Sequence, residues 1–286
     1  MERPSPDSPA PITGPPTRRK AGPSRLPVFG VLAILLPLLF LPLAAVFVFA
    51  GRSGWSGFFS ALSQPDALFA LRFSLLMGFA TAAVNSVIGT FIAYVLSKYR
   101  FPGRDALGIL VNLPVALPTV VVGTSLLLLW GPIGLLGKYL DPLGIQPMFS
   151  ATGILLAHVL VTLPYMLGAV RPVLDTLEVT YEEAAYTIGA SRWQTFWLVI
   201  LPALRGGIFT GTLLSFAHSL GEFGATVMVS GNLRLRTQTA PLYVFAQFEA
   251  GNIEAANAVA AVLAIISFLL FLFLQRFARR PERPEA

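Results

Sequence analysis

Glu222 is a carboxylate inside a long apolar run, and His218 stands four residues before it. On a helix that spacing puts both side chains on one face. An ionisable group in a membrane-spanning segment is expensive and marks a functional position by default. A carboxylate repels anions, so the pair reads in two ways. It is an interhelical polar clamp beside a pathway or gate, or a structural polar pair with no transport role. A second stretch differs in kind. Residues 182–202 run from Glu182-Glu183-Ala184-Ala185 through Gly189, Ser191 and Trp193 to Val199, Leu201 and Pro202. They are polar and amphipathic in a very apolar chain, which makes sense where something docks. The plainer alternative is an ordinary amphipathic helix lying on a membrane surface.

Local physics gives residues 182–202 a shape. Thr180 is a reasonable N-cap, and Glu182 and Glu183 then fall in the first turn, where the helix dipole favours acidic groups. Ala184 and Ala185 are helix formers small enough to let another backbone approach closely. Gly189 turns the chain. Ser191 caps a second helix through Trp193, Phe196, Trp197 and Ile200, which Pro202 ends. Helix, glycine turn, helix makes a compact knob whose exposed end fits a groove on a partner.

The elements that must hold these residues are membrane spans. Of 286 residues, 55% are hydrophobic and 12% charged, and mean hydropathy is +0.72. A soluble domain carries roughly a quarter charged residues. The net charge of +6 would raise nucleic acid as a partner in a soluble chain, but here the basic residues flank apolar runs and set topology instead. With no cysteine and only His158 and His218, disulfides, thiolate metal sites and a histidine-rich metal cluster are excluded.

Six stretches have the roughly 20 apolar residues that a spanning helix needs: Val28–Ala50, Phe73–Leu96, Leu107–Trp130, Ala151–Val170, Gly206–Val229 and Ala255–Leu274. The first is too long for a signal-peptide core and reads as a retained span. Pro114 and Pro118 predict a kink or broken turn in the third. Such a break survives only where protein or a water-filled cavity satisfies the freed backbone groups, which places Leu113–Gly123 in the interior, beside a pathway. With the N-terminus inside, 15 of the 20 basic residues fall on the inner segments, so both termini and the stretch 171–205 are cytoplasmic. Residues 1–27, with eight prolines and Arg18-Arg19-Lys20, read as a disordered basic cytoplasmic tail. Residues 28–277 form the membrane domain and 278–286 a second cytoplasmic tail. The run Thr237–Phe248 reads as a short helix at the outer surface.

The spacing of Glu183-Ala184-Ala185, Gly189, Val199 and Leu201-Pro202 resembles the cytoplasmic loop of ABC-transporter permeases: Glu-Ala-Ala, three residues, Gly, nine residues, Ile, one residue, Leu-Pro. Val199 stands for the usual isoleucine. Further stretches are similar to the T-type permease of the sulfate/thiosulfate branch. They are Lys98–Gly103, Asn112–Thr119, Gly131-Pro132 with Gly134, Val170–Leu174, and Gly221–Gly224 with Gly231-Asn232. Two stretches, Gly221–Thr226 and Thr237–Leu242, look like the molybdate/tungstate permeases, which form the alternative reading.

The resemblance implies an all-α type I importer permease in a bacterial inner membrane. It implies a coupling loop at Glu182, Glu183, Ala184, Ala185, Gly189, Val199, Leu201 and Pro202. ATPase subunits would dock there, and ATP and magnesium would bind on them, so no cofactor is expected on this chain. A second permease is implied, a W-type paralogue for sulfate or an identical copy for molybdate, together with an extracytoplasmic anion-binding protein. An oxyanion that must leave again calls for uncharged donors rather than an arginine cage. Thr119, Gly123, Thr124, Ser125 and Ser215 are the candidates, with Pro114, Pro118, His218 and Glu222 at the pathway or gate. Ser and Thr in membrane helices more often bond their own backbone.

Other classes fit less well. Gly131–Lys138 fails the P-loop pattern, because Pro132 occupies the first glycine position and Tyr139 follows Lys138. A secondary transporter would need inverted repeats and ion-coupling residues, and a membrane enzyme a catalytic cluster. Only Glu222 and His218 answer to the first, and nothing answers to the second.

Overall fold

The computed structural model describes residues 25–52, 54–177 and 179–278. Most of both expected tails, residues 1–24 and 279–286, lies outside them. All regular structure among the described residues is helical. The elements are α1 (Arg25–Ala50), α2 (Gly54–Leu62), α3 (Pro65–Lys98), α4 (Arg104–Ala116), α5 (Thr119–Trp130) and α6 (Gly137–Leu140). After a 3₁₀ turn at Asp141–Leu143 come α7 (Ala151–Thr176), α8 (Val179–Thr187) and α9 (Arg192–Thr195). A π turn at Phe196–Ile200 then leads to α10 (Leu201–Leu220), α11 (Gly224–Val229), α12 (Ala240–Glu249) and α13 (Ile253–Ala278). Among the described residues five helices are long and apolar enough to cross a membrane, or six if the bent pair α4–α5 counts as one span. The chain divides into two compact units, one ending at Ala45 and one beginning at Val46. The second unit carries both Glu222 and residues 182–202.

The centre of this unit is α3, α7 and α10. Helices α3 and α7 run parallel: Asn85 Nδ2 donates to Thr162 Oγ1 at 2.7 Å, and twelve residues on Ser97 Oγ donates to Asp175 Oδ1 at 2.5 Å. Helix α10 runs against them, with Leu204 beside Ala93, Leu96 and Leu174 at one end and Phe216 and Leu220 beside Ala82 at the other. Small residues let these backbones meet. A Cβ on Gly207 would stand 2.8 Å from the Ala169 carbonyl oxygen, and one on Gly211 3.1 Å from Met166 Cα. The glycine pair at i, i+4 on α10 is therefore a packing seam against α7. Lys98, Arg104, Arg171 and Arg192 collect at the ends of α3, α4, α7 and α9 that meet the α8–α9 stretch, the basic end of the bundle. At the opposite end, Ala240 N–H donates to Ser74 Oγ at 2.7 Å and ties α12, the expected surface helix, to α3.

Three expectations need revision, and a fourth is sharpened: of the kink or broken turn expected in 107–130 the structure has the break, two helices at 116°. Leu117, at φ −93° and ψ 143°, is extended as a residue before proline must be, and Pro118 supplies no N–H to continue α4. Within Leu113–Gly123 only Pro114, Val122 and Gly123 are buried. Apart from the partly buried Thr119 the rest faces outward, because the chain by itself does not cover the break. The span expected at 206–229 ends at Leu220, and three residues without helix separate α10 from α11. Pro202 does not end a helix. It lies in the first turn of α10, whose early N–H groups need no partner from that helix, so the chain is helical from Arg192 to Leu220.

Candidate functional site

The knob at 182–202 folds much as its residues dictate. Helix α8 begins at Val179, so Thr180 is inside it rather than its cap. It ends at a glycine turn: Gly189 adopts φ +89°, and Ala190 N–H reaches back to the Ala185 carbonyl at 3.0 Å. Ser191 then caps α9 in a reciprocal box. Its hydroxyl accepts from Gln194 N–H at 3.2 Å while Gln194 Oε1 accepts from Ser191 N–H at 2.8 Å.

The two faces of α8 differ. Glu182 and Ala185 turn inward: Lys98 Nζ at the end of α3 lies 2.5 Å from Glu182 Oε1, and Ala185 is buried. Glu183, Ala184 and Gly189 turn outward with Tyr181, Tyr186 and Ile188, the last 87% exposed, and Trp193 of α9 is 69% exposed. The aromatic run of the π turn packs on itself and on α3, with Tyr94 edge-on to Phe196 at 5.2 Å. Val199 is half-buried and Leu201 partly so, while Pro202 is exposed. The knob is thus anchored by one face and presents the other, an apolar and acidic surface at the basic end.

A second constellation lies where α11 packs on α5 and α7. The N-terminus of α5 abuts that of α11, and a Cβ on Gly224 would collide with Thr119 Oγ1 and stand 3.1 Å from Val120 N. One turn on, a Cβ on Gly123 would meet the Ala225 carbonyl oxygen at 2.6 Å. Helices α5 and α11 are therefore a closely packed pair of half-helices starting at the same level. Glu222 is buried in the gap between α10 and α11, and its Oε1 accepts from Ala225 N–H at 2.9 Å.

Glu222 and His218 share no hydrogen bond or ion pair among the described residues, although the carboxylate acts on the imidazole through space. The helix stops at Leu220, so the i, i+4 register no longer applies. His218 is exposed, and its Nε2 lies 3.3 Å from Tyr165 Oη of α7. The carboxylate that looked like an interhelical clamp acts locally, satisfying a free N–H at the start of α11.

Other expected pathway residues divide as their hydrogen bonds do. Ser215 is buried and donates to the Thr162 carbonyl at 3.4 Å. Thr124 and Ser125 donate to the carbonyls of Val120 and Val121, four residues back, at 2.9 and 2.8 Å. Pro118 is exposed, Thr119 partly buried and Pro114 buried. No group of three or more metal-binding side chains forms among the described residues.

These helices, with a broken pair and a knob, have counterparts. A family model described as the inner membrane component of binding-protein-dependent transport systems matches residues 85–283. The chain belongs to that family. The permease is 37% identical over 223 residues to the sulfate transport system permease protein CysT of Escherichia coli (strain K12), covering 78% of this chain and 80% of the relative. It is also 37% identical over 225 residues to CysT of a Synechocystis species, covering 79% of each. Its fold matches a chain of a bacterial alginate ABC transporter, solved in complex with a pentasaccharide-bound periplasmic protein, at TM-score 0.73 and 16% identity, covering 89% of this chain and 94% of that one. The permease is a multi-pass inner-membrane protein of the ABC importer type.

One polar residue of the permease, in the span Ala151–Val170, is not among the site residues singled out from the sequence. His158 of α7 is 1% exposed and hydrogen-bonds at both ring nitrogens, to Ser219 Oγ at 2.6 Å and Thr226 Oγ1 at 2.8 Å. The rule that singles out Glu222, an ionisable group within a span, applies equally to His158. Its partners lie 61 and 68 positions away, and no local pattern reveals them.

Proposed function

We propose that the permease forms one half of a two-subunit pathway that imports sulfate or thiosulfate, powered by ATP hydrolysis on separate subunits docked at 182–202. The observation that carries this reading is the two-faced knob. Glu182 and Ala185 hold it to the bundle, while Glu183, Ala184, Ile188 and Trp193 are exposed at the basic end. Large apolar side chains presented there fit a protein groove better than water. The positive-inside bias puts that end in the cytoplasm, where ATPase subunits would meet it and would carry the ATP and magnesium. Similarity to sulfate permeases over about four-fifths of the chain supports the choice of anion.

The outward face of the α4–α5 break supports the second permease. Leu113, Val115, Leu117, Pro118, Val121 and Ser125 are exposed on an apolar segment whose helical path is broken. Lipid cannot satisfy such backbone, so a neighbouring subunit or a water-filled pathway covers it. A W-type paralogue is the partner that the sulfate reading implies, and an extracytoplasmic binding protein would deliver the anion opposite the knob. The test is ATPase activity of the reconstituted complex with binding protein loaded with sulfate or with molybdate. Stimulation by the sulfate-loaded form alone is expected. Stimulation by molybdate alone would overturn the choice of anion.

A further inference from the structure

Helices α10 and α11 are joined by three residues, Gly221-Glu222-Phe223, that leave helical register. Such a joint is flexible unless something fixes its angle. Nothing covalent does so, and Gly221 is exposed and open: a Cβ there would find only the His218 carbonyl oxygen, at 3.9 Å.

The side chain of His158 spans the joint from the neighbouring helix. Nδ1 meets Ser219 in the last turn of α10, and Nε2 meets Thr226 in the first turn of α11. All three residues are buried. The proton positions follow from the partners. Thr226 Oγ1 donates to the Glu222 carbonyl at 3.1 Å, so it accepts from His158 Nε2–H, and Nδ1 is left to accept from the Ser219 hydroxyl. A neutral imidazole thus closes a directed chain: Ser219 to His158 to Thr226 to the backbone of the joint itself.

The helix that carries His158 is held in turn. Thr162, one turn along α7, donates to the His158 carbonyl at 2.8 Å and accepts from Asn85 of α3 at 2.7 Å. Beyond the joint, α11 is packed on α5 through Gly123 and Gly224, and at its far end Phe149 N–H donates to the Val229 carbonyl at 2.7 Å. Helix α11 is therefore held by α5, by apolar packing of Ala225 and Val229 with Ile154, Ala157 and Val161 of α7, and by the polar bridge of His158. Helix α10 continues without interruption into the knob at Arg192.

We propose that His158 is a positioning residue that staples α10 to α11, so that displacement of α10 at the knob turns the α5–α11 pair as one body instead of flexing the joint. The idea rests on the ABC importer reading for its consequence in transport, but the staple is testable apart from it. The chain has no native cysteine, so spin labels at Ala203→Cys on α10 and Val227→Cys on α11 report the angle of the joint in the purified permease. A narrow distance distribution is expected for the unaltered staple and for Thr226→Ser, which keeps the hydroxyl. A broad distribution is expected for Thr226→Val, and for His158→Asn, whose shorter side chain keeps only the Ser219 arm.

In the reconstituted complex the same two variants should raise ATP consumed per anion imported by at least about fivefold, the lower end of measured coupling between sites. The Thr226→Ser value should stay within about twofold of the parent, because its hydroxyl bonds survive. Identical distributions for Thr226→Val and Thr226→Ser would overturn the staple. So would transport and ATP hydrolysis falling together, in proportion to the complex recovered. A parent complex with no anion-stimulated ATPase would instead count against the importer reading, while the label distances would still decide the staple.

Discussion

The knob at 182–202 and the joint at 221–223 are both interruptions of helix, and they are finished in opposite ways. In the knob, backbone groups are satisfied locally, by the Gly189 turn and the Ser191–Gln194 box, and large side chains such as Ile188 and Trp193 are left exposed. At the joint the side chains are satisfied inside the bundle, Glu222 locally and Ser219 and Thr226 across helices by His158. Glu222, Ser219, Thr226 and His158 are buried and hydrogen-bonded, and glycines admit α5 at contact distance. The first pattern leaves a surface for another molecule. The second holds one geometry of the chain itself. Substitutions at the two places should therefore fail differently, with partner loss at the knob and loss of the permease's own structure at the joint.

The largest effect is expected at the joint. Gly224→Val drives a side chain into Thr119 and Val120, and overpacking of this kind costs about 1–3 kcal/mol or more. Thermal unfolding in detergent should show a clearly lowered midpoint, whereas Gly221→Ala, with open space around it, should match the parent. Equal midpoints for the two glycine variants would break the comparison.

Next comes the knob. Gly189→Val must adopt φ near +89°, which costs a β-branched residue about 1–2 kcal/mol locally. Since the turn is exposed and touches little else, the permease should unfold at its usual temperature but no longer co-purify with an ATPase. A permease that keeps its ATPase but unfolds early would reverse the assignment.

The smallest effect separates two roles for one residue. If Glu222 acts as a local acceptor for Ala225 N–H, Glu222→Gln, which keeps Oε1, should transport within about twofold of the parent. Glu222→Ala should lose about 0.5–2 kcal/mol of stability, as the loss of a helix cap does. A Gln variant that assembles normally but does not transport would restore the carboxylate to the pathway.

How much the sequence disclosed depended on the range of the interaction concerned. Hydropathy located the spans, because twenty apolar residues carry their own signal. Pro118 announced the α4–α5 break, and Gly189 with Ser191 announced the turn and second helix of the knob, since each acts within four residues. The α10–α11 joint has no proline, and Gly221 and Gly224 look like ordinary glycines of a span. The meaning of Gly224 lies in Thr119, more than a hundred residues earlier. His218 and Glu222 pair only on a continuous helix, and the true occupant of that polar seam, His158, needed the packing of α7 on α10. Pro202 misled for the opposite reason. A helix breaker is harmless in the first turn of a helix, and the π turn before it gave no sequence signature.

The central claim is that this chain moves an oxyanion only through an ATP cycle received at the knob. Sulfate uptake into vesicles tests it most directly, with the permease pair and binding protein reconstituted with and without the ATPase and ATP. Uptake is expected only when ATPase and ATP are both present, and should be lost in the Gly189→Val complex. Uptake by the permeases without ATP would contradict the claim.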